Sequence, residues 1–503
     1  MITVAETTAP ISLEHLTLGS FSGRPVAVLG LARSGVALAR FLADQGAQVT
    51  VYDARPEAEL VAEVARLEGR PVLLMLGPDA DPRAALAGQA LIATSPSINS
   101  RYPTTEPRLR AALTAVESEG RVPVVSEIDL FLRLSPATTV GVTGTKGKTT
   151  TSSLIAAVLG EGGAPTILGG NIGIPLVELL PELTGAHRVV VELSELQLPT
   201  ISRGTDVSVY THVTSDHLDR HGTLEAYRAA KRRLAELAPA DGRLVLNAED
   251  PVSSAFATVS ATPAVFYQRS EPLAGGVGVG DGWIVANGVG RLASVGGGTA
   301  ATGPGGRILP LGEILVPGAH NTSNVLAAVT VGLLFGIAPD AIRRAVAGFT
   351  GVEHRLEGVA TIDGVTFVND SQGTQPDAVI AALRSFDAPL VLIAGGRTKN
   401  VPLDDLAAVV AERAVAAVLI GETADEMAAL FTRAGLVHIE RATDMGDAVG
   451  RGYAIARERL HDRGSATVLL SPAATSFDMF VDYAARGQAF KDAVRQLAQG
   501  RRK

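Results

Sequence analysis

The stretch Val-Gly-Val-Thr-Gly-Thr-Lys-Gly-Lys-Thr-Thr, from Val140 to Thr150, constrains this chain more than any other. Thr138 to Thr143 is short, β-branched and apolar, the pattern of a buried parallel strand. Gly144 and Gly147 follow at once, and neither carries a Cβ that would hinder a tight turn or close approach to an anion. From Lys148 onward, Leu154, Ile155, Val158 and Leu159 recur at helical spacing, so a helix starts where the loop ends. Its free N–H groups and positive dipole end then face whatever the loop encloses. In such an arrangement Lys148 reaches terminal phosphates and the Thr149 hydroxyl ligates Mg²⁺. The spacing is not the common one. The usual Gly-x-x-x-x-Gly-Lys-Ser/Thr pattern would need a glycine where Val142 stands. The bland alternative is a glycine-rich turn carrying a surface lysine.

At 503 residues the chain is too long for one core, and size scaling suggests about three domains. Hydrophobic residues make up 46%, enough to bury a large core. The longest apolar run, around Val325 to Ala338, is too short and interrupted to span a bilayer. The opening MITVAETTAPISLEH shows no basic start before an apolar block, so no export signal is read there. The absence of cysteine excludes disulfides, thiolate metal sites and a cysteine nucleophile. A net charge of −8, with no basic stripe interleaved with aromatics, argues against a nucleic-acid partner. A cytoplasmic protein without membrane contact is expected.

Three α/β blocks follow one another, at residues 1–134, 135–348 and 349–503. In the first, Val26 to Leu29 reads as a strand, Ser34 to Gln45 as an amphipathic helix, and Val49 to Tyr52 as a second strand ending at Asp53. This is the opening βαβ of a Rossmann-like sheet, with Gly30-Leu-Ala-Arg-Ser-Gly35 where Gly-x-Gly-x-x-Gly would stand. Ala32 replaces the second glycine, which hinders approach of a dinucleotide pyrophosphate. A phosphate near the helix start, with Asp53 near a sugar or base, is one reading; an unliganded βα turn is the other. The second block carries the phosphate loop on a mixed or parallel sheet, and its glycine-rich stretch Gly275 to Gly306 suggests hairpins. The third alternates GVTFVND, AVIAALRSF, LVLIAGG, LDDLAAVVAERA, AVLIG and ATVLLSP as strands and helices, a second Rossmann-like domain.

Several clusters in the middle block bear chemistry. VVVELSELQ puts Glu192 at a strand end, either facing the nucleotide or as a surface charge. THVTSDHLDRHG puts Asp216 and His217 at the end of the SVYTHVT strand, as ligands or as polar loop residues. Together with Thr149, Glu192 and His217 supply oxygen and imidazole ligands for Mg²⁺ beside phosphates. Lys231, in AYRAAKRRLAELA, lies on a helix whose bland reading is a solvated face. Asn321 and Asn324 sit three apart at a helix start, suited to reading a base or to capping the helix.

In this order Gly-Thr-Lys-Gly-Lys-Thr-Thr, Gly169-Gly-Asn-Ile-Gly173, Glu192-Leu-Ser-x-x-Gln197, Asp216-His-Leu-Asp-Arg220, Tyr227-Arg-x-x-Lys231, His320-Asn-x-x-Asn324 and His354-Arg355 resemble the Mur ligases, over essentially the whole chain. The short phosphate loop is the form that family uses. Within the family, the GLARSG loop, the SPSIN segment and the tail LLSPAATSFDMFVDYAARGQAF are similar to the member that joins D-glutamate to UDP-N-acetylmuramoyl-L-alanine. The resemblance implies an ATP-dependent ligase of peptidoglycan precursor synthesis, working through an acyl phosphate and a tetrahedral intermediate. It implies ATP and two Mg²⁺ ions as cofactors, with a monomer expected.

By the same resemblance Lys148, Glu192, His217, Lys231 and Arg355 are catalytic. Thr149, Glu192, His217 and a carbamylated Lys231 would hold metal. Gly144, Thr145, Lys146, Gly147, Lys148, Thr149, Thr150, Asn321, Asn324, Arg355 and Asp370 would hold ATP, with Asp370 near the ribose. Ser34, Gly35, Asp53, Arg55, Ser95 and Asn171 would hold the UDP-sugar. Thr374, Lys399, Ser476 and Tyr483 would take the amino acid. The chain departs from the family pattern after Asn369-Asp-Ser, where Gln372 replaces a cation and Gln375 lengthens an amide. Arg397 stands where an acidic residue is common and could restore some of that charge. The rival readings are a sister ligase, either the one that adds L-alanine to UDP-N-acetylmuramate or a folylpolyglutamate synthetase, then a P-loop switch or transport ATPase, and a NAD-dependent oxidoreductase.

Overall fold

The computed structural model describes residues 9–500 apart from 104, 215–220, 317, 387–388, 399–401 and 461–463. Two compact units divide the chain, one up to Phe349 and one from Thr350.

The first unit holds two sheets. One has five parallel strands in the order β3-β2-β1-β4-β5, where β1 is Pro25–Leu29, β2 Gln48–Asp53, β3 Val72–Leu76, β4 Leu91–Thr94 and β5 Val124–Ser126. The predicted helix between the first two strands spans Arg33–Asp44 and buries Val36, Leu38 and Leu42 against the sheet. The second sheet has nine strands: β6 (Thr138–Thr143), β7 (Thr166–Gly170), β8 (Arg188–Glu192), β9 (Val207–Tyr210), β10 (Arg243–Asn247), β11 (Ala264–Tyr267), β12 (Val277–Gly280), β13 (Trp283–Ala286) and β14 (Arg307–Pro310). Their order is β14-β13-β12-β11-β10-β9-β6-β8-β7. Strands from β7 to β12 pair in parallel, and β12, β13 and β14 form the antiparallel meander that the glycine-rich stretch suggested. One apolar core runs from the first sheet to the near face of the second, through Val28, Val51, Leu176, Val189 and Leu244.

On the other face, the helix Ala319–Leu334 packs against the helix Lys148–Gly160. It is buried from Asn324 to Leu334, which explains the long apolar run: a helix enclosed on all sides is hydrophobic all round. Val325, Leu326, Val329, Val331, Leu333 and Leu334 are fully buried, each contributing about 1.5–3 kcal/mol. Gly332 sets the closeness of this packing, because a Cβ there would meet the Val158 side chain at 2.6 Å. Among the described residues no helix is long and apolar enough to cross a membrane.

The second unit is a six-stranded sheet, ordered β15-β16-β20-β17-β18-β19. Its strands are β15 (Glu357–Ile362), β16 (Val365–Asn369), β17 (Leu390–Gly395), β18 (Ala416–Ile420), β19 (Ile439–Arg441) and β20 (Ala466–Leu470). All pair in parallel except β15 with β16. Helices Pro376–Leu383, Asp404–Arg413 and Ala424–Ala434 cover one face, and Met445–Glu458 and Tyr483–Gly500 the other. One predicted boundary moves. The SVYTHVT strand stops at Tyr210, because the Thr211 hydroxyl donates to the Lys146 carbonyl at 2.7 Å and the Val213 amide to Asp250 at 2.8 Å. Those bonds draw the chain out of the ladder.

Candidate active site

The phosphate loop forms as its residues require. Gly144 has φ 150° and Gly147 has φ 87°, both in the region that side chains disfavour. A Cβ on Gly147 would sit 2.6 Å from Asn324 Oδ1. Gly147 is the N-cap of the helix Lys148–Gly160, whose first ladder bond runs from Thr151 N to Gly147 O at 2.9 Å. The Lys148 ammonium folds back onto the loop, donating to the Gly144 and Thr145 carbonyls at 3.1 and 2.9 Å. Thr149 is buried, Thr150 half-buried and Lys146 exposed. The Thr145 hydroxyl lies 2.8 Å from the Tyr227 hydroxyl and accepts from the Thr214 amide at 2.9 Å.

Glu192 ends β8 opposite Val142 in the register, just before the loop. It is 1% exposed, so it is no surface charge. Its Oε1 accepts from Asn171 Nδ2 at 2.9 Å, whereas its Oε2 is buried with no hydrogen-bond partner among the described residues. An orphaned carboxylate oxygen at this strand end suits a hard cation with oxygen ligands. Among the described residues no group of three or more His, Asp or Glu side chains gathers as a complete metal cage. Asp216, His217 and Lys399 lie outside the described residues. Lys231 is not on a solvated face. It is fully buried, with Nζ donating to Thr143 Oγ1 at 3.3 Å and lying 5.5 Å from the Tyr227 ring centroid.

Asn321 and Asn324 do not cap their helix, whose N-cap is Gly318. Asn324 accepts from the Thr151 hydroxyl at 3.1 Å and donates to Asn321 Oδ1 at 3.0 Å, tying this helix to the first turn of the helix Lys148–Gly160. Asn324, with Gly147, His320 and Ser323, lines a cavity of about 450 Å³, whereas Asn321 is not part of its wall. Its far wall is Asn247 and Tyr267 at the ends of β10 and β11, with Glu249 and Arg269 paired at 2.9 Å beside them. Sequence reading missed these four. The signal for Asn247 and Tyr267 was available, since ligands of parallel sheets sit at the carboxyl ends of strands.

The first sheet has its own cavity, about 340 Å³, over the carboxyl ends of β1, β2 and β4. Gly30, Asp53, Arg55 and Ser95 line it, as do Tyr52 and Glu106. Gly35 is forced by packing, since a Cβ there would collide with the Gly30 carbonyl. Burial would raise the Asp53 pKa, but the Arg55 guanidinium and the amides of Arg55 and Leu31 outweigh it, so the carboxyl is held below its ordinary value. Those contacts are 2.8 Å to Arg55 Nη2, 2.9 Å to Arg55 N and 2.8 Å to Leu31 N. Arg33, beside Ser34, donates to the Gly173 carbonyl at 3.0 Å, which brings this helix start against the turn that carries Asn171.

In the second unit Arg355 sits on a strained turn, between His354 (φ 62°) and Leu356 (φ 45°). Asp370 holds that turn by accepting from the Leu356 amide at 3.2 Å and from the Ser471 hydroxyl at 2.6 Å. Burial pushes the Asp370 carboxyl up to about 6, although Ser471, the Leu356 amide and Arg355 act against it. Thr374, Ser476 and Tyr483 lie on segments tied together by Arg486, which no motif signalled. Arg486 is 1% exposed and donates to Ser371 Oγ and Ser371 O, each at 3.0 Å, and to Ala474 O at 3.1 Å. Ser371 Oγ in turn donates to Tyr483 O at 2.7 Å, and Ala473 N to Gly373 O at 2.9 Å.

Comparison with known proteins follows the same division. Residues 24–117 match the Mur ligase MurD-like N-terminal domain, 142–332 the Mur ligase middle domain and 354–474 the Mur ligase glutamate ligase domain. The UDP-N-acetylmuramoylalanine–D-glutamate ligase of Symbiobacterium thermophilum is 40% identical, covering 94% of this chain and 98% of its own. That of Koribacter versatilis is 36% identical over 96% of this chain and 99% of its own. Among solved structures, UDP-N-acetylmuramate-alanine ligase MurC of Thermotoga maritima shares the fold, with a TM-score of 0.54 at 16% identity, covering 94% of this chain and all of that one. With all three domains matched in order and relatives alike from end to end, the chain belongs to the Mur ligase family.

Proposed function

We propose that this protein joins D-glutamate to UDP-N-acetylmuramoyl-L-alanine with hydrolysis of ATP to ADP and phosphate, in peptidoglycan precursor synthesis. The observation that carries this reading is the end-to-end likeness, at 40% identity, to a relative named for that reaction. The phosphate loop and the buried Glu192 give it a physical basis. A carboxylate oxygen of the alanyl group attacks the γ-phosphorus and ADP leaves. The glutamate amine then adds to the acyl carbon, and the tetrahedral intermediate expels phosphate together with that oxygen.

Mur ligases use ATP and Mg²⁺; when bound, the cation neutralises phosphate charge and orients the γ-phosphate. We assign it two positions, held by Thr149, Glu192, His217 and a carbamylated Lys231. Lys231 as an ammonium would repel a cation, and a carbamate would reverse that sign. Residues 135–348 grip the triphosphate through Gly144 to Thr150, with Lys148 turning from the loop carbonyls to the phosphates. Asn324 lines the nucleotide cavity, and Asn321 supports it by accepting from its amide at 3.0 Å. Residues 1–134 hold the UDP-sugar through Ser34, Gly35, Asp53, Arg55 and Ser95, joined by Asn171 of the next block. Residues 349–503 contribute Arg355 and Asp370 towards the nucleotide, and Thr374, Lys399, Ser476 and Tyr483 towards the amino acid. The protein works as a cytoplasmic monomer, beside its nucleotide substrates.

The test is a coupled ADP-release assay with UDP-N-acetylmuramoyl-L-alanine and a panel of D- and L-amino acids, with product mass read out. Release that depends on both the sugar nucleotide and D-glutamate is expected. ADP release indifferent to either substrate would refute the reading.

A further inference from the structure

Ligands of a parallel α/β sheet bind over the carboxyl ends of its strands. In the second unit the segments leaving β16, β17, β18, β19 and β20 at those ends are rich in acids: Asp370, Glu422, Asp444, Asp478 and Asp482. Among their described residues, Arg397 is the only lysine or arginine. An acceptor amino acid with two carboxylates would therefore meet a rim of its own sign, relieved among the described residues at Arg397 alone.

Arg397 is placed by its backbone. Its amide donates to Thr475 O at 2.9 Å, and Thr475 N and Oγ1 donate back to Arg397 O at 3.1 and 3.2 Å. The flanking Gly396 has φ 145°, and a Cβ there would strike the Thr475 carbonyl. Arg397 is thus fixed against the residue next to Ser476. Its side chain is different. It stays 53% exposed, and its guanidinium meets Glu422 Oε2 at 3.4 Å, a carboxylate itself about half exposed. Such a pair holds weakly, on the order of 0–1 kcal/mol. Arg486, the other guanidinium nearby, is consumed by Ser371 and Ala474 inside the protein. Gln372 is neutral and directs its amide to Glu353 O at 3.4 Å.

We propose that Arg397 is a specificity-determining residue that receives a carboxylate of the acceptor amino acid, displacing Glu422, which occupies the guanidinium until the acceptor arrives. A planar fork matches a carboxylate with two hydrogen bonds, and a substrate carboxylate so bound is a better partner than one exposed side chain at 3.4 Å. This rests on the ligase reading above and adds a residue to it.

The experiment measures KM for D-glutamate, ATP and UDP-N-acetylmuramoyl-L-alanine in the full chain and in two variants. Arg397→Ala is expected to raise KM for D-glutamate about tenfold, the loss of about 1.4 kcal/mol, leaving the other two KM values within a factor of about two. Glu422→Gln is expected to lower KM for D-glutamate, because it frees the guanidinium; the Asp478 bond to the Glu422 amide at 3.0 Å survives that change. Both sites are exposed, so unchanged urea midpoints are expected. Wild-type-like KM for D-glutamate in Arg397→Ala overturns the inference, as does an equal rise in all three constants. Failure of the wild type to join D-glutamate at all would instead sink the ligase reading.

Discussion

Replacing Gly147 by alanine puts a methyl group where the phosphate loop meets the helix Ala319–Leu334. Two costs add. An L-residue at φ 87° loses roughly 1–2 kcal/mol relative to glycine. The new Cβ, 2.6 Å from Asn324 Oδ1, must also push that side chain away. Asn324 is 6% exposed and accepts from Thr151 at 3.1 Å, so its displacement loses about one net hydrogen bond, ~1 kcal/mol. The sum is about 2–3 kcal/mol. Gly163→Ala is the control: φ is 79°, but nothing lies within 4 Å of its Cβ, so only the backbone cost applies. The chain has one tryptophan, Trp283, on β13 of the same unit and 5.2 Å from the Arg307 guanidinium. Its fluorescence in a urea titration therefore reports both variants. Gly147→Ala is expected to unfold at lower urea than Gly163→Ala by about 1 kcal/mol, and it alone should bind ADP at least about tenfold more weakly. Equal stabilities and equal ADP affinities would refute the reasoning.

Other outcomes follow from the same geometry. Lys231→Met keeps the volume of a fully buried side chain, so the urea midpoint should hold while ligase turnover falls on the order of 10²–10³; turnover near wild type would remove Lys231 from the mechanism. Gly35→Ala drives a methyl into the Gly30 carbonyl and should cost more than about 3 kcal/mol in urea unfolding. The Asp370 carboxyl, raised from 3.8 to about 6, holds a proton in the folded state that the unfolded chain releases. Stability should therefore fall as pH rises from about 4 to about 6, by at most about 3 kcal/mol, and stay lower above that. Asp370→Asn should flatten this dependence when urea midpoints at pH 4.5 and 7.5 are compared by circular dichroism. Mg²⁺ with ADP should raise the melting temperature of the wild type, and Glu192→Gln should abolish the increment due to Mg²⁺ while keeping that due to ADP.

Much of this was legible in the chain because its chemistry is local. Thr138 to Leu159 spells strand, glycine turn and helix in consecutive residues, and the structure forms those three elements there. The hairpin at β12 and β13 followed from glycine-rich punctuation in the same way. Burial of isolated charges was harder to read. Lys231 is flanked by Arg232 and Arg233, yet it shares a helix face with Tyr227 and Leu234, four and three residues away, and that periodicity marks it as the inward member. Arg486 sits likewise on the face of Phe490 and Val494. Asn247 and Tyr267 were open to inference as strand ends, but that they line one cavity depends on β9, β10 and β11 pairing in parallel, which spacing alone does not fix. The side-chain role of Asn324 was open for the same reason: Thr151 is its anchor, far away in sequence, and Asn321 joins through Asn324.

The measurement that bears most directly on the central claim uses UDP-N-acetylmuramoyl-L-alanine with ¹⁸O in both carboxylate positions. If the phosphate loop energises that carboxylate, one labelled oxygen passes to phosphate for each amide bond formed. Mass spectrometry of the released phosphate should show one ¹⁸O per turnover with D-glutamate present. Unlabelled phosphate, released at the same rate as ADP, would mean that water attacks the nucleotide and that no acyl phosphate forms.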